Sequence, residues 1–340
     1  MKRQRFQEIT EQYPNLRIGI IGDFCLDRYF EIDPTLAEES IETGLEVYNV
    51  TRVRTQPGAG GTILNNLVAL GIGTIVPIGF CGADGEGWLL ERALRERKNV
   101  SLQHFLSTPD RKTFTYSKPL IMESSGVPRE LNRLDQKNWT PTPPSVSARL
   151  IASIEAVVDD IDALIVMDQV DRPETGVVTQ EVLACVAKIA SRYPKLPILA
   201  DSRQGLAHYP PLSFKMNANE LRLMLGKERD LSLSEVSTEI AGLAAEHGRP
   251  VFVTLAESGV MGAISGEPVV HQGSLPVRGE IDIVGAGDSV TGNLAAALAA
   301  KATTQEALEL AMAAASLVVH QLGTTGTASC DQIEALLSLE

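Results

Sequence analysis

The sequence has few of the features that mark secreted, membrane-spanning or metal-binding proteins. Only four cysteines occur in 340 residues, and their spacing suggests neither a disulfide framework nor a zinc site. No apolar run approaches the ~20 residues of a membrane helix. The polar N-terminus lacks an apolar signal core, and four of the five histidines show no metal-ligand spacing. We therefore expect a cytoplasmic protein without membrane contact.

Positive charge is also scarce. The chain has 30 Lys and Arg against 43 Asp and Glu, a net charge of −13. Nucleic-acid-binding proteins usually show the opposite balance, so we expect no nucleic-acid partner. Small anions are not excluded, because a local glycine-rich loop can bind them in an acidic chain. With 44% hydrophobic and 21% charged residues, the composition is that of a globular protein with a sizeable core.

Short β-branched runs alternate with helical patterns along most of the chain. Their spacing of about 25–40 residues predicts βαβ units and an α/β fold, with a doubly wound, mainly parallel sheet and helices on both faces. Ligands bind such sheets beyond the carboxyl ends of the strands. We predict strands at 17–22, 74–79, 163–167, 197–200, 214–216 and 250–255, an acidic turn after the first strand, and an extended segment at 277–283.

Two regions interrupt this alternation. Residues 46–53 and 112–118, followed by 130–134, alternate between apolar and polar positions like strands with one exposed face. The pattern fits either a small separate β layer or an extension at the edge of the main sheet.

The most informative motif is the run Asp-Ile-Val-Gly-Ala-Gly-Asp-Ser at 282–289, which opens an Ala-rich helical pattern. Gly285, Ala286 and Gly287 place nothing bulky on the backbone, so the first amides of the helix can bind an anion. Asp288 would repel that anion unless it serves another purpose. Phosphoryl transfer supplies one, because a carboxylate can take the proton from an attacking hydroxyl. The alternative is an ordinary N-capping Asp.

This motif resembles the second signature of the PfkB (ribokinase-like) carbohydrate kinases, and four further motifs follow that family's order. They are the first strand and its carboxylate at 18–29, the Gly-rich first signature at 57–71, the Asn-x-x-Glu motif at 217–220 and the nucleotide-loop segment at 253–259. The sequence Leu-Asp-Arg-Tyr at 26–29 and the pair Leu134-Asp135 resemble the kinases of heptose phosphates within this family.

The resemblance implies a single ribokinase-like domain over residues 1–340, with a small β lid built from about 29–56 and 110–135. In this family the lid often mediates homodimerisation. The resemblance also implies ATP and Mg²⁺ as cofactors and a sugar or sugar phosphate as substrate. The segment around Asp282 corresponds to one that binds a monovalent cation such as K⁺ in some relatives.

Site residues follow from the same comparison of motifs. Asp288 is the predicted base, and Gly285, Ala286 and Gly287 the predicted anion hole. The predicted substrate-binding residues are Asp23, Asp27, Gly58, Gly60, Thr62 and Asp168. The predicted nucleotide-binding residues are Asp201, Asn217, Glu220, Thr254, Ser258, Gly259, Ser316 and His320, with Glu220 also contacting Mg²⁺ through water.

Several of these residues have structural alternatives. Asp27 fits a solvated turn, Asn217 with Glu220 fits a helix cap, and His320 fits an ordinary helix-face histidine. Thr62 stands where most members of the family have Asn, which leaves the sugar specificity open.

Basic residues in and beside the predicted lid suggest either a phosphorylated sugar or a balance against the lid acids Glu38, Glu39, Glu42 and Glu46. These basic residues are Arg28, Arg52, Arg54, Lys112, Lys118, Arg129 and Arg133. The sequence thus predicts an ATP- and Mg²⁺-dependent sugar kinase. The alternatives are a heptose-phosphate kinase specifically, or a catalytically idle relative that senses a sugar or nucleotide.

Overall fold

A computed structural model describes residues 1–123 and 128–337 of the chain. Residues 124–127, which fall within the predicted lid segment 110–135, and residues 338–340 lie outside the described residues.

Sixteen strands and ten α-helices occur in this part of the chain. The strands are β1 (Arg17–Gly22), β2 (Phe24–Ile32), β3 (Glu38–Glu39), β4 (Glu46–Val47), β5 (Val50–Ala59), β6 (Thr74–Gly82), β7 (Phe105–Thr108), β8 (Phe114–Ile121), β9 (Arg129–Glu130), β10 (Leu134–Gln136), β11 (Ala163–Asp168), β12 (Ile198–Ser202), β13 (Ser213–Asn217), β14 (Val251–Thr254), β15 (Val260–Ala263) and β16 (Val270–Gln272). The helices are α1 (Arg3–Thr10), α2 (Gly60–Ala69), α3 (Gly85–Arg95), α4 (Pro144–Val157), α5 (Gln180–Arg192), α6 (Ala218–Met224), α7 (Leu233–His247), α8 (Ala286–Ala299), α9 (Thr304–Val318) and α10 (Cys330–Leu337).

The main sheet has nine strands in the order β16-β15-β14-β13-β12-β11-β1-β6-β7. All neighbours from β14 to β7 are parallel, and only β15 and β16 add antiparallel edge strands. Ile18 and Ile20 of β1 pack with α1, α2, α3, α8, α9 and α10, whereas Ile21 packs in the layer of α4 to α7. The predicted doubly wound α/β fold with helices on both faces is confirmed.

A second sheet, which we call the lid sheet, is formed by β10, β8, β2 and β5 in that order, with β9 paired to β8. It is not an edge extension of the main sheet. The acidic turn predicted after β1 is wrong, because Phe24–Ile32 is a nine-residue strand. Phe24 and Leu26 are fully buried and draw this segment into the core, while the alternate residues Cys25 and Asp27 face the other side of the sheet.

Other boundaries also differ from the prediction. The segment 277–283 is irregular and not a strand, and the short strands β7, β15 and β16 were not predicted. Helix α8 begins at Ala286, which places Asp288 in its first turn. Within 1–123 and 128–337, no helix has both the length and the apolar character needed to cross a bilayer.

Candidate active site

Asp27 lies on the inner face of the lid sheet. Strand β2 pairs with β5 and β8, which sets Asp27 opposite Gln56 and beside Tyr116. Directly paired residues point to the same face of a sheet, so these three side chains share one surface. Asp27 is only 7% exposed, so it is a buried strand residue and not a solvated turn. Burial raises the pKa of Asp27, and the charge of Lys118, 3.9 Å from its Oδ1, opposes that rise.

Gly58 leaves room for the Asp27 carboxylate. A β-carbon at Gly58 would lie 2.6 Å from Asp27 Oδ2 and 2.7 Å from Cys25 Sγ, closer than atoms tolerate. The following turn into α2 is tight, because Ala59 adopts φ +54° and the Gly60 N–H donates to the Asp23 carbonyl at 2.9 Å. Thr62 is buried in the first turn of α2. The Gly-rich first signature therefore lies directly against the lid carboxylate.

Asp23 has a buried carboxylate that accepts hydrogen bonds from three backbone N–H groups. Gln169 and Val170 donate to Oδ2 at 2.9 and 3.2 Å, and Val177 donates to Oδ1 at 2.8 Å. Burial raises the pKa of Asp23, while the three amides favour its ionised form. The geometry makes Asp23 the anchor of the loop after β11, and both of its oxygens are engaged.

Asp168 ends β11 and is also buried. Its Oδ2 accepts hydrogen bonds from Ser202 Oγ at 2.9 Å and Tyr209 Oη at 3.1 Å, while Oδ1 has no partner within the described ranges. Burial and then the charge of Asp23 raise the pKa of Asp168 to about 7. One carboxylate oxygen therefore supports the neighbouring loop, and the other is unengaged.

The start of α8 presents unpaired backbone donors. Gly285 caps the helix with φ +83°. The Ala286 N–H donates to the Ile283 carbonyl at 3.2 Å, whereas those of Gly287 and Asp288 have no backbone acceptor in the described part of the chain. Of the residues predicted to form an anion hole, Gly287 therefore has an amide that is unpaired among the described residues, as does the adjacent Asp288, and the anion hole itself stays a prediction. Gly287 also has no side chain to cover them.

Beneath this turn lies a buried ion pair. Lys215, in the centre of β13, is 6% exposed, and its Nζ donates to Asp201 Oδ2 at 2.8 Å. The same Asp201 oxygen accepts from Thr291 Oγ1 at 2.8 Å. A β-carbon at Gly287 would lie 3.1 Å from Lys215 Nζ. The ammonium therefore borders the first turn of α8.

Asp288 is partly exposed in that turn and lies among other charges. Burial and then the negative charge of Asp201 raise the pKa of Asp288 to about 7, while Lys215 opposes this and Asp27 adds to it. The lid carboxylate and the α8 carboxylate thus interact across the same space. A carboxylate with a pKa near neutrality is a suitable proton acceptor at physiological pH.

Asn217 and Glu220 form a complete capping box at the start of α6. The Asn217 N–H donates to Glu220 Oε2 at 2.7 Å, and the Glu220 N–H donates to Asn217 Oδ1 at 2.9 Å. Burial raises the pKa of Glu220, and the charge of Asp201 raises it further. The helix-cap interpretation therefore holds, yet Glu220 also faces the Asp201–Lys215 pair.

The predicted nucleotide loop follows β14. Thr254 ends that strand, Ser258 is exposed in a short 3₁₀ turn, and Gly259 adopts φ +95°. A β-carbon at Gly259 would lie 2.1 Å from the Gln272 carbonyl oxygen, so only glycine fits. The three residues therefore lie at the end of β14 and in the turn that connects it to β15.

His320 connects α9 to the segment that leads to the 282–289 motif. Its Nδ1 lies 2.6 Å from the Ser316 carbonyl, and its Nε2 accepts from the Arg278 N–H at 2.9 Å. This pairing assigns the ring proton to Nδ1. The Ser316 hydroxyl is buried and has no partner in the described part of the chain. Both ring nitrogens of His320 are thus engaged by backbone groups, and its contact with a nucleotide stays a prediction.

One further contact links the lid to this region. Gln56 Nε2 donates to Thr325 Oγ1 at 2.9 Å, and Thr324 Oγ1 donates to Gln56 Oε1 at 3.2 Å. The adjoining turn is fixed by Asp282, whose Oδ2 accepts from the Gly323 N–H at 3.3 Å.

Neither Gln56 nor Lys215 was predicted as a site residue. A signal existed for Lys215, because a lysine within a short apolar strand is unusual unless it is paired.

Residues 24–330 match the description "pfkB family carbohydrate kinase". The chain belongs to this family. It is 27% identical over 98% of its length to the bifunctional protein HldE of Hyphomonas neptunium, and it spans 66% of that curated relative's length. The predicted family and the carbohydrate-kinase class are confirmed. Family membership implies ATP and a divalent metal.

Solved structures share the fold. The Arabidopsis thaliana ribokinase complexed with ribose and ATP superposes with a TM-score of 0.68 at 20% identity, covering 96% of this chain and 99% of that one. The Escherichia coli phosphofructokinase-2 in complex with potassium gives 0.71 at 19% identity, covering 95% and 98%.

The raised pKa of Asp288 predicts a stability effect with a definite sign. Because the folded pKa is near 7 and an ordinary Asp has about 3.9, the folded state binds more protons than the unfolded state between these values. Wild-type stability therefore falls as pH rises through that range. Asp288→Asn should melt at a higher temperature than wild type at pH 8, and the difference should shrink toward pH 5.

Asp171→Asn is the matched control. Lys137 donates to this carboxylate and lowers its pKa, so removing the charge should reduce the melting temperature slightly or leave it unchanged at pH 8. Melting temperatures of wild type and both variants, measured at pH 8 and pH 5, test this prediction. A lower melting temperature for Asp288→Asn at pH 8 would contradict the assigned shift.

Proposed function

We propose that this carbohydrate kinase transfers the γ-phosphoryl group of ATP to a sugar hydroxyl, with Asp288 as general base. The observation that carries the proposal is the Asp288 carboxylate in the same helical turn as two backbone donors that lack acceptors in the described residues. Backbone donors stabilise the charge of the transferring phosphoryl group, and the base accepts the hydroxyl proton. A general base and an anion-binding site in one helical turn would account for both the carboxylate and the unpaired amides.

The proposed reaction proceeds in line. The sugar oxygen bonds to the γ-phosphorus as the bond to the β-phosphate oxygen breaks, ADP leaves, and the hydroxyl proton passes to Asp288. Asp27 on the lid face is the proposed acceptor for sugar hydroxyl hydrogens, beside Gly58, Gly60 and Thr62. Asp23 would act by holding the loop after β11, and Asp168 by its unengaged Oδ1.

Nucleotide and metal would lie on the side of Asp288 that is opposite the proposed sugar site. Thr254, Ser258 and Gly259 border the proposed nucleotide path, and Ser316 with His320 its adenine end. Mg²⁺ bound with ATP would screen the phosphate charge. Glu220 is the proposed holder, assisted by Asn217. In residues 1–123 and 128–337 no group of three or more acidic, His or Cys side chains is arranged to hold a metal ion directly. K⁺ near Asp282 stays a prediction.

Asp288→Asn should lower turnover by on the order of 10²–10⁴-fold, because base catalysis is lost. ATP affinity should change little. For wild type, kcat/KM should rise with pH through a midpoint near 7, since the base must be ionised. Turnover across a panel of sugars, with calorimetric ATP binding, measures both. Near-normal turnover by a folded Asp288→Asn protein would refute the base assignment. ATP binding without turnover in wild type would favour the sensing relative.

A phosphorylated acceptor is the second candidate, and the heptose-like motifs agree with it. Lys118 supports it, because its Nζ lies 3.4 Å from Tyr29 Oη and beside Asp27, and its side chain is only 15% exposed. The Arg54 guanidinium carbon lies 4.7 Å from the centroid of the Tyr29 ring, but its Nε already donates to Glu31 Oε1 at 2.6 Å. Lys118 is therefore the cation next to the proposed sugar site that would offer a donor to a second phosphate.

Most of the predicted basic cluster is instead neutralised. Arg28 projects from the opposite face of β2 and pairs with Glu86 at 2.9 Å. Arg133 pairs with Asp135 through two hydrogen bonds. The acids that balance these residues are thus not the lid glutamates named from the sequence.

Comparing each sugar with its phosphate ester tests the second candidate. If the acceptor is phosphorylated, Lys118→Met should raise KM for the ester at least about tenfold, as expected for loss of one charge-assisted hydrogen bond. Arg28→Met, on the other face of the sheet, should leave KM unchanged. Faster turnover of the plain sugar, with no effect of Lys118→Met, would exclude a phosphorylated substrate.

We also propose that the lid pairs with a second copy of the chain. Exposed apolar side chains cluster on the lid segments, and such edges favour association. They are Leu36, Ile41, Leu45, Tyr48, Val50, Val53, Met122 and Leu134.

Light scattering at micromolar concentration should therefore give twice the mass of the chain. Val53→Asp should shift the protein toward monomer, because it places a charge in the proposed contact. Leu233→Asp, at a similarly exposed apolar position in α7, should not. A monomeric wild-type protein would contradict the proposal.

A further inference from the structure

The charged residue in the middle of β13 requires an explanation. Phe214 and Met216 on either side of Lys215 belong to the hydrophobic core, and Lys215 itself is 94% shielded from solvent. Burying an ammonium is unfavourable even when it is paired, and well-packed apolar residues often serve stability equally well. Stability alone therefore does not account for a lysine and an aspartate at this position.

The hydrogen bonds of Lys215 are incomplete. An ammonium carries three N–H donors, and across the described residues the Nζ has one acceptor, Asp201 Oδ2 at 2.8 Å. A β-carbon built at Gly287 in α8 would lie 3.1 Å from the Nζ, so the ammonium borders the space that the missing side chain leaves. The amides of Gly287 and Asp288 also lack acceptors there. Two kinds of unsatisfied donor, one of them cationic, thus meet at one helical turn.

Asp201 and Thr291 hold this arrangement together. Asp201 Oδ2 accepts from both Lys215 Nζ and Thr291 Oγ1, and Thr291 Oγ1 also lies 3.1 Å from the Gly287 carbonyl. Asp201 is the direct partner of the Lys215 ammonium in this buried ion pair. The ammonium of β13 and the amides of α8 are thereby fixed relative to each other.

We propose that Lys215 is a catalytic residue that binds the transferred phosphoryl group, and that Asp201 and Thr291 are positioning residues for it. The inference rests on the proposed phosphoryl transfer. It gives Asp201 a different task from the direct nucleotide contact expected from its motif. Lys215 would stabilise the phosphate charge at the moment of transfer, opposite the base Asp288.

Binding of ATP and of AMP to Lys215→Met tests the first part without requiring turnover. ATP should bind at least tenfold more weakly and AMP unchanged, because only ATP carries the distal phosphates. Turnover with the best sugar should fall on the order of 10²–10³-fold, as when one donor to a developing charge is removed. Lys227→Met removes an exposed lysine that pairs with Glu239, and it should match wild type in both assays.

Failure of the inference and failure of the proposed function give different results. If wild type binds ATP and phosphorylates a sugar while Lys215→Met does so equally well, Lys215 is structural and the inference is wrong. If wild type neither binds ATP nor phosphorylates any sugar, the proposed function is wrong. A proportional loss of ATP and AMP binding by a folded Lys215→Met protein would also overturn a specific phosphate contact.

Two further variants test the positioning roles. Thr291→Val should lower kcat more than it raises KM for ATP, and Thr291→Ser, which keeps the hydroxyl, should restore kcat. Asp201→Asn combined with Lys215→Met leaves no unpaired buried charge, so it should fold even if either single variant does not. Its ATP affinity should equal that of Lys215→Met, since Asp201 acts through the lysine. A further tenfold loss would show that Asp201 contacts the nucleotide itself.

Discussion

The buried carboxylate of Asp23 is the interaction on which the rest of the architecture depends. Asp23 is the single residue between the end of β1 in the main sheet and the start of β2 in the lid sheet. Its side chain accepts three amides from the loop after β11, and its carbonyl accepts the amide that opens α2. Two sheets, one helix and one loop therefore share one residue. A carboxylate suits the position because ionised oxygens form stronger bonds to amides than neutral groups do.

The site assembled around this junction is itself acidic. The charge of Asp201 raises the pKa of Asp288 and of Glu220, Asp27 adds to the rise at Asp288, and the Lys215 ammonium opposes both shifts. Such a site would repel a triphosphate if side chains alone bound it. The backbone amides of α8 and the buried Lys215 ammonium would offset this repulsion at one point. That arrangement reconciles a net charge of −13 with an anionic substrate.

The sequence predicted those parts of the fold and site that depend on local patterns. The buried parallel strands and the glycine-rich turn at 285–287 were recognisable because both are encoded in a few consecutive residues. The sequence predicts a turn where the strand Phe24–Ile32 lies, because Asp23 just before the strand and Asp27 within it obscure the period-two pattern. The role of Lys215 could not be assigned from the sequence, because it depends on contacts with Asp201 and Thr291. These two residues are 90 positions apart in the chain. The short edge strands β15 and β16 form only through their neighbours in the sheet.

The hydrogen bonds from Gln56 to Thr324 and Thr325 have a consequence for how two bound ligands affect each other's affinity. The same loop is tied through Gly323 to Asp282, and a side chain at Gly285 would touch Thr325. A displacement of β5 must therefore either break the Gln56 contacts or pull the loop that abuts the α8 turn. Occupancy on the lid side and occupancy at the helix start are then energetically coupled. Because such coupling is reciprocal, each ligand should change the other's affinity by the same factor.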